Sequence, residues 1–238
     1  MNISSIFPII QWLSLISLTI FSNVTGDDYI ISYIADPKNQ NIVFFWKNDE
    51  GETFRSIENL KDYVANKNQE LIFAMNGGMY NSDNSPQGLF ISQYKIKTPI
   101  DTSSGPGNFY LKPNGIFYIT NDNISIVCQM SEFINNGNIK YATQSGPMLL
   151  INGKFHPAFK KGSSNLNIRN GVGILPDNKV IFAMSKKEIN FYDFAGYFKK
   201  LGCENALYLD GFVSRMYLPE KNWVQTDGNF GVIIGVIQ

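Results

Sequence analysis

Histidine and cysteine are nearly absent: His156, Cys128 and Cys203 are the only ones in 238 residues. One histidine and two distant cysteines fall short of the four ligands of an ordinary zinc site. They form no Cys-x-x-Cys pair, and without Gly-x-Ser-x-Gly the lone histidine belongs to no recognisable Ser-His-Asp arrangement. Gly-x-Gly-x-x-Gly and the phosphate loop are missing too, which removes the usual dinucleotide and nucleotide sites. Oxygen-rich stretches around Asn81, Asp83 and Asn84 and around 121–123 match no calcium-loop spacing. Neither metal nor cofactor is therefore expected. His156, within Lys154-Phe155-His156-Pro157, is expected to be a turn or rim residue.

Charge is scarce as well. Twenty basic residues balance twenty acidic ones, and together they make up 17% of the chain, against about 25% in an average globular protein. Such a surface does not steer nucleic acid or anionic lipid, so neither is expected as a partner. A phosphate-bearing ligand would have to be held by a few placed groups. Long apolar runs are limited to one: residues 6–21 are apolar apart from Gln11, Ser14, Ser17 and Thr19, and they give way to Asn23, Asp27 and Asp28. With Val24-Thr25-Gly26 as a small-residue cleavage site, residues 1–26 are read as a secretory signal. The alternative is an uncleaved anchor, a little short of the ~20 residues a span needs. The expectation is an exported protein, periplasmic or secreted, with no membrane contact beyond that segment. In that compartment Cys128 and Cys203 either pair or remain as two buried free thiols.

What remains, residues 27–238, suffices for one domain with a substantial core. Short apolar runs rich in β-branched and aromatic residues recur at 41–46, 71–74, 88–91, 115–119, 124–128, 148–151, 206–209 and 232–237, and read as strands. The runs 172–175 and 179–184 flank Pro176-Asp177-Asn178, a natural hairpin turn. Two segments follow a helical period instead. Ile57, Leu60 and Val64 lie behind a capping Ser56, and Phe191, Phe194, Phe198 and Leu201 lie behind Asn190, with Lys199, Lys200 and Gly202 at the far end. These features describe a single α+β domain with a mixed, largely antiparallel β-sheet core and a few flanking helices.

Four segments place polar residues or glycine at the end of an apolar run. They are Ala74-Met75-Asn76-Gly77-Gly78-Met79-Tyr80, Gln144-Ser145-Gly146-Pro147 before 148–151, Ile168-Arg169-Asn170-Gly171, and Leu209-Asp210-Gly211 with Ser214. Strand ends of this kind can converge on one cleft. Gly77, Gly78 and Gly146 let backbone approach a ligand, with left-handed dihedrals open to the first two. Asn76 offers two donors and an acceptor, and Ser145 a hydroxyl. A guanidinium such as that of Arg169 can grip a phosphate through two parallel hydrogen bonds. On residue chemistry alone each has a plainer reading: Asn-Gly-Gly, Ser-Gly-Pro and Asp-Gly are turn sequences, and Arg169 is a surface residue or the partner of a structural carboxylate.

In this order the four segments resemble the phosphodiester glycosidase family, whose best-known member uncovers mannose 6-phosphate by removing a covering N-acetylglucosamine from a phosphodiester. The resemblance runs over residues 46–217, and Gly105-Pro106-Gly107-Asn108-Phe109-Tyr110-Leu111-Lys112-Pro113-Asn114-Gly115 and the block 141–217 are similar to its small bacterial periplasmic branch. It implies hydrolysis of a sugar-1-phosphate phosphodiester. On that resemblance Asp210 is the catalytic base or nucleophile, Asn76, Gly77 and Gly78 form one wall, and Ser145, Gly146 and Pro147 form another. Arg169 holds the phosphate, and Asn170, Gly211 and Ser214 complete the substrate-binding set. Phe212 departs from the pattern, standing where the family's second glycine usually is. Glycoside cleavage normally uses two carboxylates, although a phosphate leaving group weakens the demand for a general acid. Asp101, Glu132, Glu188 and Asp193 are the candidates for the second, Asp193 also suiting a helix N-terminus. The alternative function is a non-catalytic envelope protein that binds a glycan or a phosphate-containing polymer in the same cleft.

Overall fold

Short β-branched and aromatic runs punctuated by Asn, Gly and Pro favour brief strands joined by tight turns. The computed structural model, which describes residues 29–210 and 213–238, builds three sheets from them. The expected leader, with Gly211 and Phe212, lies outside the described residues. The first sheet runs Ile30–Ala35, Val180–Ser185, Asn170–Ile174, Ala206–Asp210, Met148–Ile151, Lys154–Phe155. The second runs Trp223–Val224, Met216–Leu218, Leu71–Asn76, Ile233–Ile237, Asn41–Phe45. The third runs Lys95–Thr98, Phe90–Ser92, Ile139–Ser145, Gly115–Thr120, Ser125–Gln129. Every ladder between these strands is antiparallel. With two α-helices against them, the architecture is α+β.

Aromatic rings tie the sheets together. Tyr33 and Phe182 of the first sheet, Phe73 and Phe44 of the second and Phe117 of the third form one chain of contacts. Ring centroids are 4.7 Å apart for Tyr33–Phe73, 5.1 Å for Phe73–Phe182, 5.9 Å for Phe117–Phe182 and 5.3 Å for Phe44–Phe117. Such pairs contribute about 0.5–1.5 kcal/mol each beyond the area they bury. The sheets therefore cannot slide on one another without breaking packed rings, which keeps their strand ends in fixed relation.

Both helices form where capping and spacing place them. Ile57–Asn66 begins at Ser56, whose Oγ accepts from the Asn59 N–H at 3.1 Å, and buries Ile57, Leu60 and Val64 in a cluster with Ala74, Tyr217 and Ile233. Phe191–Lys200 begins at Asn190, whose Oδ1 accepts from the Asp193 N–H at 2.9 Å. It buries Phe191, Phe194, Ala195 and Phe198 against the first sheet, and Gly202, with φ of 81°, supplies the left-handed exit. Leu201, grouped by spacing with that apolar face, is instead an exposed cap residue. The hairpin joins Ile174 to Val180, with Asn178 at φ of 63° in its turn.

Cys128 and Cys203 are both free, and burial pushes their thiols up to about 11 and about 12. His156 is a turn residue, its carbonyl accepting from the Phe159 N–H at 3.0 Å, but it does not lie on a rim. It is 1% exposed, its Nδ1 accepts from the Ala158 N–H at 3.2 Å, and its ring lies 4.9 Å from that of Phe159. Desolvation lowers its pKa, so it stays neutral near pH 7. Among the described residues no helix is long and apolar enough to cross a membrane.

Candidate functional site

The ends of four strands meet at one point: Leu71–Asn76 from the second sheet, Asn170–Ile174 and Ala206–Asp210 from the first, and Ile139–Ser145 from the third. The carboxylate strand arrives there through an irregularity. Gly171 pairs with Tyr208 but Asn170 pairs with Asp210, so Leu209 is an extra residue on its strand. A bulge of this kind re-aims the side chain beyond it. Here it leaves Asp210 7% exposed, with Oδ2 accepting from Nδ2 of Asn76 at 3.3 Å.

A network of buried amides surrounds that carboxylate. Asn76 and Asn170 are both 0% exposed. Asn170 donates from Nδ2 to the main-chain oxygen and Oδ1 of Asn76, each at 2.9 Å, and accepts from the Asp210 N–H at 2.8 Å. The backbone N–H of Arg215 also donates to Asn76 Oδ1, at 2.9 Å. Ser145 Oγ donates to the Leu209 carbonyl at 2.7 Å and Ser214 Oγ to the Asp210 carbonyl at 2.8 Å, so both hydroxyls brace the strand that carries the carboxylate. Asn76, Ser145, Asn170, Asp210 and Ser214 are thus brought together. Gly211 lies outside the described residues.

The glycines serve packing. Neither Gly77 nor Gly78 takes a left-handed φ. A Cβ on Gly77 would lie 2.9 Å from Cδ1 of Ile234, and one on Gly78 2.7 Å from Oγ1 of Thr143, a residue that also donates to the Gly77 carbonyl at 3.1 Å. On Gly146, in a cis peptide with Pro147, a Cβ would lie 2.8 Å from the Phe109 carbonyl. At all three positions the missing side chain makes room for protein, and the left-handed dihedrals open to Gly77 and Gly78 are not used. Pro147 accepts from the Tyr208 N–H at 3.1 Å and so joins the same assembly.

Arg169 is the principal correction. Although it neighbours Asn170, its guanidinium is 0% exposed and lies on the helix side of the sheet, 3.6 Å from the Phe191 ring centroid. Nε donates to the Ile189 carbonyl at 2.7 Å, Nη2 to the Asn165 carbonyl at 2.9 Å and Oδ1 at 3.1 Å, and Nη1 to the Tyr208 hydroxyl at 3.4 Å. Consecutive strand residues point to opposite faces, so the residue next to one that enters the cluster is directed away from it. Arg169 is neither a phosphate clamp nor a surface residue nor the partner of a carboxylate. It fastens the 165–169 segment and the start of the second helix to the sheet.

None of the other candidate carboxylates hydrogen-bonds to the amide network. Asp101 belongs to a loop pinned by Gln144, whose Nε2 donates to the Asp101 carbonyl at 2.7 Å and whose Oε1 accepts from its N–H at 2.9 Å. The Ser103 hydroxyl, then the Ser103 N–H and the Tyr110 hydroxyl, hold the Asp101 carboxyl below the usual range, which suits a base rather than a proton donor. Glu132 caps the turn at Met130–Glu132 through Gln129, and Asp193 caps the second helix with Asn190. Glu188 and Asp193 share a surface cleft of about 420 Å³ whose lining does not include Asp210.

Two residues escaped the sequence reading. Tyr80 is half-buried, and burial first, then the charge of Asp210, raises its pKa, which puts its hydroxyl within electrostatic reach of that carboxylate. It ends the Asn76-Gly77-Gly78 segment, the one signal that could have marked it. Arg215 carries the guanidinium at the edge of the network. It grips Asp227 through Nε at 2.8 Å and Nη2 at 2.9 Å, donates from Nη1 to the Ser214 carbonyl at 3.0 Å, and leaves 33% of its side chain exposed.

Known proteins share this arrangement of sheets. The family model described as phosphodiester glycosidase matches residues 69–234. YigE of Escherichia coli (strain K12), an uncharacterized protein, is 36% identical over 227 residues, covering 92% of this chain and 86% of its own. Among solved structures, the catalytic domain of zebrafish N-acetylglucosamine-1-phosphodiester alpha-N-acetylglucosaminidase, auto-inhibited by its pro-peptide, superposes with a TM-score of 0.56 at 14% identity. That match covers 89% of each chain. A hypothetical protein from Synechocystis gives a TM-score of 0.56 at 12% identity, over 87% of this chain and 59% of its own. At such identities the structural likeness concerns the fold alone.

Proposed function

The chain belongs to the phosphodiester glycosidase family, and from that premise we propose that it hydrolyses the bond between the anomeric carbon of a sugar and a phosphodiester oxygen. The observation that carries the proposal is a single carboxylate, Asp210, fixed by buried amides where the three sheets meet. Most glycosidases need a second carboxyl group to protonate a poor alkoxide leaving group. A phosphate monoester leaves far more readily, so one positioned carboxylate acting as base or nucleophile suits this substrate class. The Asn76 amide, which donates to the Asp210 carboxylate, supports such a role, since a donor of this kind helps to hold a carboxylate in one orientation.

The test is hydrolysis of p-nitrophenyl phosphodiesters of common sugars, with both products identified. Free sugar and p-nitrophenyl phosphate are expected. Sugar phosphate and p-nitrophenol would mean that the phosphorus–oxygen bond is broken instead. Saturable binding without turnover would favour a non-catalytic glycan-binding protein.

Export goes with this reading, supported by the apolar run 6–21 and the polar residues that follow it. Expressed with its own N-terminus in a Gram-negative host, the chain should be recovered from the periplasm and begin near Asp27. Full-length protein confined to the cytosol would contradict export.

A further inference from the structure

Asn170 is expected from the sequence to touch substrate, yet it is fully buried and both of its amide N–H groups are engaged within the protein. Its two Nδ2 hydrogens are matched by two acceptors, the main-chain oxygen and Oδ1 of Asn76, both at 2.9 Å. Its Oδ1 accepts from the Asp210 N–H at 2.8 Å, and the side chain is 0% exposed. The consequence falls on Asn76. A side-chain amide oxygen has two lone pairs, and those of Asn76 Oδ1 face two donors, Asn170 Nδ2 and the Arg215 N–H. Turned over, the fully buried Asn76 amide would set its own N–H groups against those donors, losing both bonds and burying unpaired polar groups. The network therefore decides which way the amide points, and Nδ2 is directed at Asp210 Oδ2.

We infer that Asn170 is a positioning residue: it locks the Asn76 amide with its N–H groups toward the Asp210 carboxylate and, through its own oxygen, sets the backbone from which that carboxylate projects. The inference rests on Asp210 as the reacting group of the proposed hydrolysis and adds what orients it. A residue that binds substrate acts mainly on KM, whereas one that orients the reacting group acts on kcat.

Asn170→Ala tests the distinction, with Asn170→Ser as a smaller disturbance should the alanine variant fold poorly. Because misplacing a reacting group by ~1 Å costs about 100-fold, kcat is expected to fall by about 30-fold or more, with KM within about threefold of wild type. Since Asn170 acts through Asn76, the double variant Asn76→Ala, Asn170→Ala should be little worse than the more damaged single variant. A second readout needs no turnover: carbon NMR of the Asp210 carboxyl should show its pKa raised in Asn170→Ala and Asn170→Ser, because the Asn76 N–H that donates to the ionised form is no longer held toward it. Tyr80 and Tyr208, two titratable groups among the described residues that feel the Asp210 charge, are present in every variant. An unchanged kcat and carboxyl pKa in folded variants would overturn the inference, as would a raised KM with kcat intact. Absence of turnover in the wild type would instead count against the proposed function, and the carboxyl titration would still decide the role of Asn170.

Discussion

Asp210→Asn is expected to lower kcat on an active phosphodiester by at least ~100-fold, the lower end of what a positioned acid or base contributes. The substitution keeps the size of the side chain and an oxygen that can accept from Asn76 Nδ2, so the melting temperature should move little. What it removes is the negative charge, which a base or nucleophile cannot do without. An independent sign of that loss is available at Tyr80. Burial and then the Asp210 charge hold its phenol above the ordinary value, so the hydroxyl should titrate at lower pH in the variant. A variant that is folded, shows the tyrosine shift and still turns over within a few-fold of wild type would reduce Asp210 to a turn residue.

Arg169→Ala should act in the opposite way, on stability rather than on binding. The guanidinium is fully buried and donates to the Ile189 and Asn165 carbonyls while stacking on Phe191. Its removal leaves a large cavity, takes the donor from the Asn165 carbonyl and leaves the Ile189 carbonyl with the longer bond from the Asn167 N–H, for which about 3–5 kcal/mol is a reasonable cost. In a chain of this size that corresponds to a melting temperature lower by roughly 10 °C. Below the new transition KM should be close to that of wild type. The contrasting substitution is Arg215→Met, at the guanidinium that borders the network and remains part-exposed. If that group meets the substrate phosphate, KM should rise about tenfold with little loss of stability, because its surface ion pair with Asp227 contributes at most about 1 kcal/mol. Thermal unfolding and steady-state kinetics on the two variants separate the roles. A raised KM in a thermally unaltered Arg169→Ala protein would return the phosphate to Arg169.

The helices were legible because their signals are local: a capping Ser56 or Asn190 and apolar residues three and four apart need no knowledge of the rest of the chain. The hairpin 170–185 was legible for the same reason. Lys95–Thr98 was not, since an exposed edge strand rich in lysine lacks an apolar face. Met216–Leu218 was missed as well, because its identity as a strand depends on pairing with Leu71–Asn76, far away in sequence. At the site, the polar strand ends that converge were readable, but the direction of each side chain was not. Arg169 and Asn170 are adjacent and equally polar, and only the packing of the sheet determines which faces the carboxylate and which faces the helix. Gly77, Gly78 and Gly146 look the same in sequence whether a ligand or another strand occupies the space beside them. Tyr80 and Arg215 entered through contacts 139 residues apart or through the electrostatic field of Asp210, which no local pattern encodes.

The most direct measurement is the hydrolysis of a sugar-1-phosphodiester in water enriched with heavy oxygen, followed by mass analysis of both products. Attack at the anomeric carbon, with Asp210 as base or as a nucleophile whose sugar ester is later hydrolysed, places the solvent oxygen in the hydroxyl of the released sugar and none in the phosphate. Heavy oxygen in the phosphate, with an unlabelled sugar, would show that phosphorus is the atom attacked and would contradict the account.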